Sequence, residues 1–103
     1  MEVMNILIQA GADVNIKTNS GWTPLSLASN NGHVEVVKIL IQAGGEVNQT
    51  DKWGETALHD ASRNGHVEVI TALLAAGADK TMKNKLGNTP HDVAKNQDCK
   101  NAL

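Results

Sequence analysis

Four apolar residues, Val67, Ile70, Leu73 and Leu74, stand at i, i+3, i+6 and i+7, the spacing of one face of an α-helix. They predict a helix from about Val67 to Ala76, stopped by Gly77, since glycine readily takes the left-handed conformation of a helix C-cap. Upstream, Thr56 reads as an N-cap whose hydroxyl accepts an orphan backbone N–H. It opens a short helix that ends by the same device at Asn64-Gly65. Before it, Thr50-Asp51-Lys52-Trp53-Gly54 has the chemistry of a turn: Asp bonds its own backbone two residues on and Gly supplies a positive φ. The stretch Gly45–Gly77 therefore predicts as turn, short helix, tight turn, longer helix and loop.

The same pattern runs through the whole chain. Laid under Ala12–Gly44, the stretch Gly45–Gly77 is identical at 16 of 33 positions. Met1–Gly11 repeats Val34–Gly44 at Glu2, Val3, Ile6, Leu7, Ile8, Gln9, Ala10 and Gly11, and Gly87, Thr89 and Ala94 take the places of Gly54, Thr56 and Ala61. The sister caps add Pro24 and Pro90 at the first helical position, where a missing N–H costs nothing. Asp92, three residues after Thr89, completes a capping-box-like arrangement. Self-similarity at such a period predicts stacked units that bury their faces on one another. The expected organisation is one domain, 1–103: a second helix alone in 1–11, full units in 12–44 and 45–77, and a degenerate last unit in 78–103.

Gly21-Trp22-Thr23-Pro24-Leu25, Gly54-Glu55-Thr56-Ala57-Leu58-His59, Gly32-His33-Val34-Glu35-Val36-Val37 and Gly11-Ala12-Asp13-Val14-Asn15 resemble the signature of the ankyrin repeat. The resemblance covers essentially the whole chain. It implies an all-α solenoid of antiparallel helix pairs with projecting β-hairpin fingers. Departures are local: Ser26 for the usual His, Ala57 for Pro, His91 for Leu, Gly45 for Ala, and Lys80-Thr81 for Val-Asn.

With 103 residues, 41% of them hydrophobic but none Phe or Tyr, the core must be aliphatic and thin, one layer per unit. A net charge of −2 argues against a general nucleic-acid binder, which wants a basic stripe. No apolar run approaches a membrane span. Cys99 alone makes no internal disulfide, and no signal peptide precedes the repeats, so an intracellular place, cytoplasm or nucleus, is expected. The N-terminus reads as a cut through a longer array, since Met1 sits where a unit's Val belongs.

Metal and catalytic chemistry find little support. His33 and His66 are one period apart, roughly the ~10 Å spacing of packed helices, too far for two ligands of one ion. Their place after Asn-Gly suggests a repeated structural hydrogen bond, while His59, three after Thr56, looks like the family's histidine packed beside the capping threonine. His91 and Cys99 lack a companion at ligand spacing. Ser29 and Ser62 are period-matched, marking fold rather than a nucleophile, and no base and orienting group accompany them. No enzyme and no cofactor are expected.

What remains are positions where the copies disagree, because a stack fixes its interface and frees its exposed residues. They are Asn19, Ser20, Trp22, Asn30 and Asn31; then Lys52, Trp53, Glu55, Asp60, Arg63 and Asn64; then Lys85, Leu86, Asn88, Asn96 and Gln97, the last two read as the end of a first helix. The family resemblance implies that these positions line the concave, partner-binding face, and Trp and Arg are enriched at interface hot spots. The expected function is binding of another protein; the alternative is a structural spacer in a longer array. Residues 1–79 carry four basic and nine acidic groups and 80–103 carry five and two, so an acidic partner segment could be steered to Lys80, Lys83 and Lys85. The unpaired ends and this charge split also suggest weak head-to-tail self-association. Finally, the resemblance implies substrates of the asparaginyl hydroxylase at Asn48, with Leu40 and Glu46, and at Asn15, with Leu7 and Asp13; Thr81 leaves the third copy inert.

Overall fold

The three capping threonines set the frame. The computed structural model describes residues 14–103, so the expected lone helix of 1–11, and with it the head-to-tail contact, lies outside the described residues. Thr23, Thr56 and Thr89 are extended and each accepts a backbone N–H three residues on, opening α1 (Pro24–Asn30), α3 (Ala57–Arg63) and α5 (Pro90–Val93). Each is followed by a partner helix: α2 (Val34–Gln42), α4 (Val67–Ala75) and α6 (Gln97–Ala102). The first four helices end alike, in crossed backbone bonds of the Schellman type such as Gly44 N–H to Ile41 at 3.1 Å and Gly45 N–H to Leu40 at 2.8 Å.

Within the first two pairs α1 packs on α2 and α3 on α4, and successive units stack α1 on α3 on α5 and α2 on α4 on α6. The core is the expected thin aliphatic layer, with Leu25, Leu40, Leu58, Ile70 and Leu73 at most 1% exposed. Val69 is also buried at 1%, one turn before Leu73, so the buried face of α4 is centred on Val69, Ile70 and Leu73, with Val67 and Leu74 at its partly buried edge.

Two expectations change. Among the described residues no β-strand forms; the connections are closed turns, Thr18–Trp22, Asp51–Glu55 and Asn84–Asn88, with N–H to O distances of 2.8, 3.0 and 2.9 Å. Among the described residues neighbouring turns share one backbone bond each, Lys52 to Ser20 and Lys85 to Trp53, both 3.0 Å, too little for a ladder. Gly54, at φ +74, permits the second approach: a Cβ there would stand 3.2 Å from the Lys85 nitrogen. The last first helix is also shorter than expected. Ala94 turns extended, Lys95 N–H bonds Ser62 at 2.9 Å, and Asn96 caps α6 through Cys99 N–H, so Asn96 and Gln97 begin a second helix instead of ending a first.

Candidate functional site

The second and third turn tips and the end of α3 bring some of the candidate residues together, and side-chain chemistry decides what each does. Asp51 Oδ1 accepts the N–H groups of Trp53 and Glu55, both at 2.9 Å, so its charge is spent on its own turn. That turn presents Trp53, 49% exposed, with the Lys52 ammonium 4.7 Å from its ring centroid, within cation–π range. In the next turn Asn84 plays Asp51's part, accepting from Leu86 and Asn88, and presents Leu86, 86% exposed. Between them lies a cleft of about 370 Å³ lined by Trp53, Glu55, Asn84, Lys85 and Leu86.

The floor of the cleft is fixed. Glu55 takes both guanidinium nitrogens of Arg63, one at 2.8 Å, and Asn84 Nδ2 at 3.1 Å. Burial alone would raise the Glu55 pKa, but these donors outweigh it and hold it below the ordinary value. Asp60 differs from the expectation of a free surface group. It is buried, 3% exposed, with Arg63 Nη1 3.8 Å from its carboxylate. Burial, aided by the Glu55 and Asp51 carboxylates, pushes its pKa to about 7, Arg63 opposing.

The remaining candidates are dispersed or engaged. Asn19, Asn31 and Lys85 are exposed, and Ser20, Trp22, Asn30 and Asn88 are half-buried. Asn64 Nδ2 donates to Asn30 Oδ1 at 2.7 Å and to the Asp60 carbonyl at 2.8 Å, tying the ends of α1 and α3 together. Asn15 and Asn48 bridge successive pairs, accepting from Glu46 N–H at 2.8 Å and Asp79 N–H at 2.7 Å. The histidines are structural where bonds are seen. His66 Nε2 lies 3.0 Å from the Asn30 carbonyl. His59 Nδ1 accepts from Thr56 N–H at 3.1 Å, so Nε2 carries the proton and donates to the Asn88 carbonyl at 2.9 Å. A second cleft, about 380 Å³ beside Gly32, His66 and Glu68, holds none of the candidates. Among the described residues no three His, Cys, Asp or Glu side chains gather to hold an ion, and no helix is long and apolar enough to cross a membrane.

A family model of ankyrin repeats in three copies matches residues 1–84. The chain belongs to the ankyrin-repeat family. Over 34 residues it is 59% identical to protein phosphatase 1 regulatory subunit 12A of Mus musculus, and equally to that of Rattus norvegicus. That stretch is 33% of this chain and 3% of either relative, so this ankyrin-repeat chain spans a small part of the curated relatives it matches. A stretch of that length is about one repeat.

Two residues of this ankyrin surface escaped the sequence reading. Leu27, 46% exposed on α1, occupies Asp60's place in the repeat, and the disagreement of Leu27, Asp60 and Val93 was the signal that could have found it. Asn84 was not singled out at all; only the fold shows its amide reaching Glu55 of the preceding repeat.

Proposed function

We propose that this chain is a non-catalytic protein-interaction module: a solenoid of helix pairs that binds another protein through its turn tips and the concave face of its first helices. Protein interaction is the general role of ankyrin repeats, and the name of the relatives, a regulatory subunit of a phosphatase, agrees with such a role. The observation that carries the reading is the pairing of Trp53 and Leu86. Both are large, apolar and exposed on adjacent turn tips whose backbones are already fixed by hydrogen bonds. A rigid apolar surface loses little entropy on binding. Asn19, Ser20, Trp22, Asn30, Asn31, Lys52, Lys85 and Asn88 surround it as lesser contacts, whereas Asp60 and Asn64 support it from within and the exposed Arg63 braces Glu55. Hydroxylation of Asn48 and Asn15 stands as a separate proposal, read by a mass increase on the peptides that hold them.

Capture of binding proteins from a lysate, with Trp53→Ala and Leu86→Ala compared with the parent, tests the function. Both variants should lose specific capture while unfolding at an unchanged temperature, because both side chains are exposed. Equal capture by all three proteins would place binding on another surface, and no specific capture by the parent would leave the spacer reading in its place.

A further inference from the structure

The cleft between the second and third turns has a chemistry that selects its occupant. We infer that it receives a single aliphatic side chain from an extended peptide whose neighbouring residues on the same face are carboxylates. This rests on the interaction reading above and narrows it to one class of partner segment.

Size and lining come first. About 370 Å³ is near the lower limit for small-molecule pockets and open to solvent, with an aromatic face on one side and a leucine on the other. Such a slot suits one side chain. Charge comes second. The acids near the cleft are already satisfied: Asp51 by two backbone amides, Glu55 by Arg63 and Asn84. Lys52 and Lys85 flank the tips, and both are exposed. Among the described residues Lys52 touches only the Trp53 ring and Lys85 has no side-chain partner, so the cations at the rim are the unanswered charges. Geometry comes third. Alternate side chains of an extended strand share a face at about 7 Å, so acids two residues before and after the apolar anchor stand over the rim. Rim charges of this kind add specificity and salt dependence more than affinity.

The test uses blocked pentapeptides titrated into the full chain, read by the Trp53 indole and Leu86 amide NMR signals. Glu-Ser-Leu-Ser-Glu should shift both signals at low salt, about tenfold more tightly than Gln-Ser-Leu-Ser-Gln and with the difference lost in high salt. Glu-Ser-Ser-Ser-Glu should do nothing, and the Trp22 indole should stay still throughout. Lys52→Gln with Lys85→Gln should reduce the acidic peptide to the neutral one. Equal affinity for the Glu and Gln peptides, or preference for Lys-Ser-Leu-Ser-Lys, would overturn the assignment. If no peptide moves the Trp53 signal while Trp53→Ala still abolishes capture of a lysate protein, the class of partner is wrong and the interaction surface stands. If both experiments fail, the interaction reading itself falls.

Discussion

The junction between α1 and α3 and the junction between α3 and α5 are built on the same plan, yet polar side chains close them differently. At the first, Ser26 reaches no farther than its own cap, 3.0 Å from Thr23 Oγ1, and the side chain beside it is the exposed, apolar Leu27. At the second, His59 spans the cap and the next repeat, and its neighbour Asp60 is buried beneath Arg63. The apolar layer is common to both. The difference shows that stacking is supplied by what the copies share, while the polar positions are free to tie the first junction at its far end, through Asn30, Asn64 and His66, and the second at its cap, beside a titratable group.

The shared layer should give the largest effects. Leu40→Ala and Leu73→Ala each empty a fully buried site, for about 2–5 kcal/mol, a large part of a small domain's ~5–15 kcal/mol. Urea unfolding should show similar losses for the two, since both stand at one place in the plan. A markedly smaller loss for Leu40→Ala would mean that the junctions do not share a core.

Asp60 gives the next effect, and it belongs to the second junction alone. Its folded pKa of about 7 lies above its ordinary 3.8, so the folded state binds more protons between those values. The stability it contributes is therefore present at low pH and lost as pH rises through about 7. Asp60→Asn should gain on the parent progressively from pH 5 to 8, reaching on the order of 2–3 kcal/mol. The counterpart Leu27→Asn should show no such pH-dependent difference. A flat difference for Asp60→Asn would mean that the carboxyl is hydrated in the folded protein.

The histidine bridge comes third. His59→Ala strands the Thr56 N–H and removes one of the two donors at the Asn88 carbonyl, for a loss of about 2–3 kcal/mol, against about 1 kcal/mol or less for Ser26→Ala. The sharper experiment transplants the bridge. The Glu55 carbonyl, counterpart of Asn88, accepts the Asp51 N–H at 3.0 Å and keeps a second lone pair. Ser26→His should engage it and raise stability by about 1 kcal/mol; a loss would show that the first junction is too crowded for the ring.

The plan was legible because it is written as repetition and end-chemistry. Thr23, Thr56 and Thr89 cap, the Asn-Gly pairs stop, and Val67, Ile70 and Leu73 mark a buried face, all local rules. The site was legible only in outline. Trp53 and Trp22 stood out as variable and aromatic, and Leu86 was one of the variable positions, but nothing in the spacing shows that Glu55 and Asn84 form the floor between Trp53 and Leu86, because that contact crosses from one repeat to the next. Asp60 was misread for a related reason. Variation between copies marks freedom from the common plan, and a side chain freed from the plan can still be buried by its own neighbours. The short α5 was hidden by its good cap: Thr89-Pro90 predicts a start, and the stop comes from Lys95 bonding Ser62 of the previous repeat.

The smallest effect separates the turn that touches a successor from the one that does not. Gly54 and Gly87 hold the same left-handed backbone, φ +74 and +82, so alanine costs both about 1 kcal/mol in conformation. A Cβ on Gly87 meets nothing within 4 Å, but on Gly54 it comes within 3.4 Å of the Asn84 Cα as well as pressing on the Lys85 nitrogen, and backbone cannot swing aside as a side-chain end can. Gly54→Ala should therefore cost about 1 kcal/mol more than Gly87→Ala, and it alone should move the amide signals of Lys85 and Leu86. If the two variants unfold together, the turns are not held against each other. The Trp53–Leu86 cleft would then be a loose pair of tips, and the binding surface would have to form on contact with its partner.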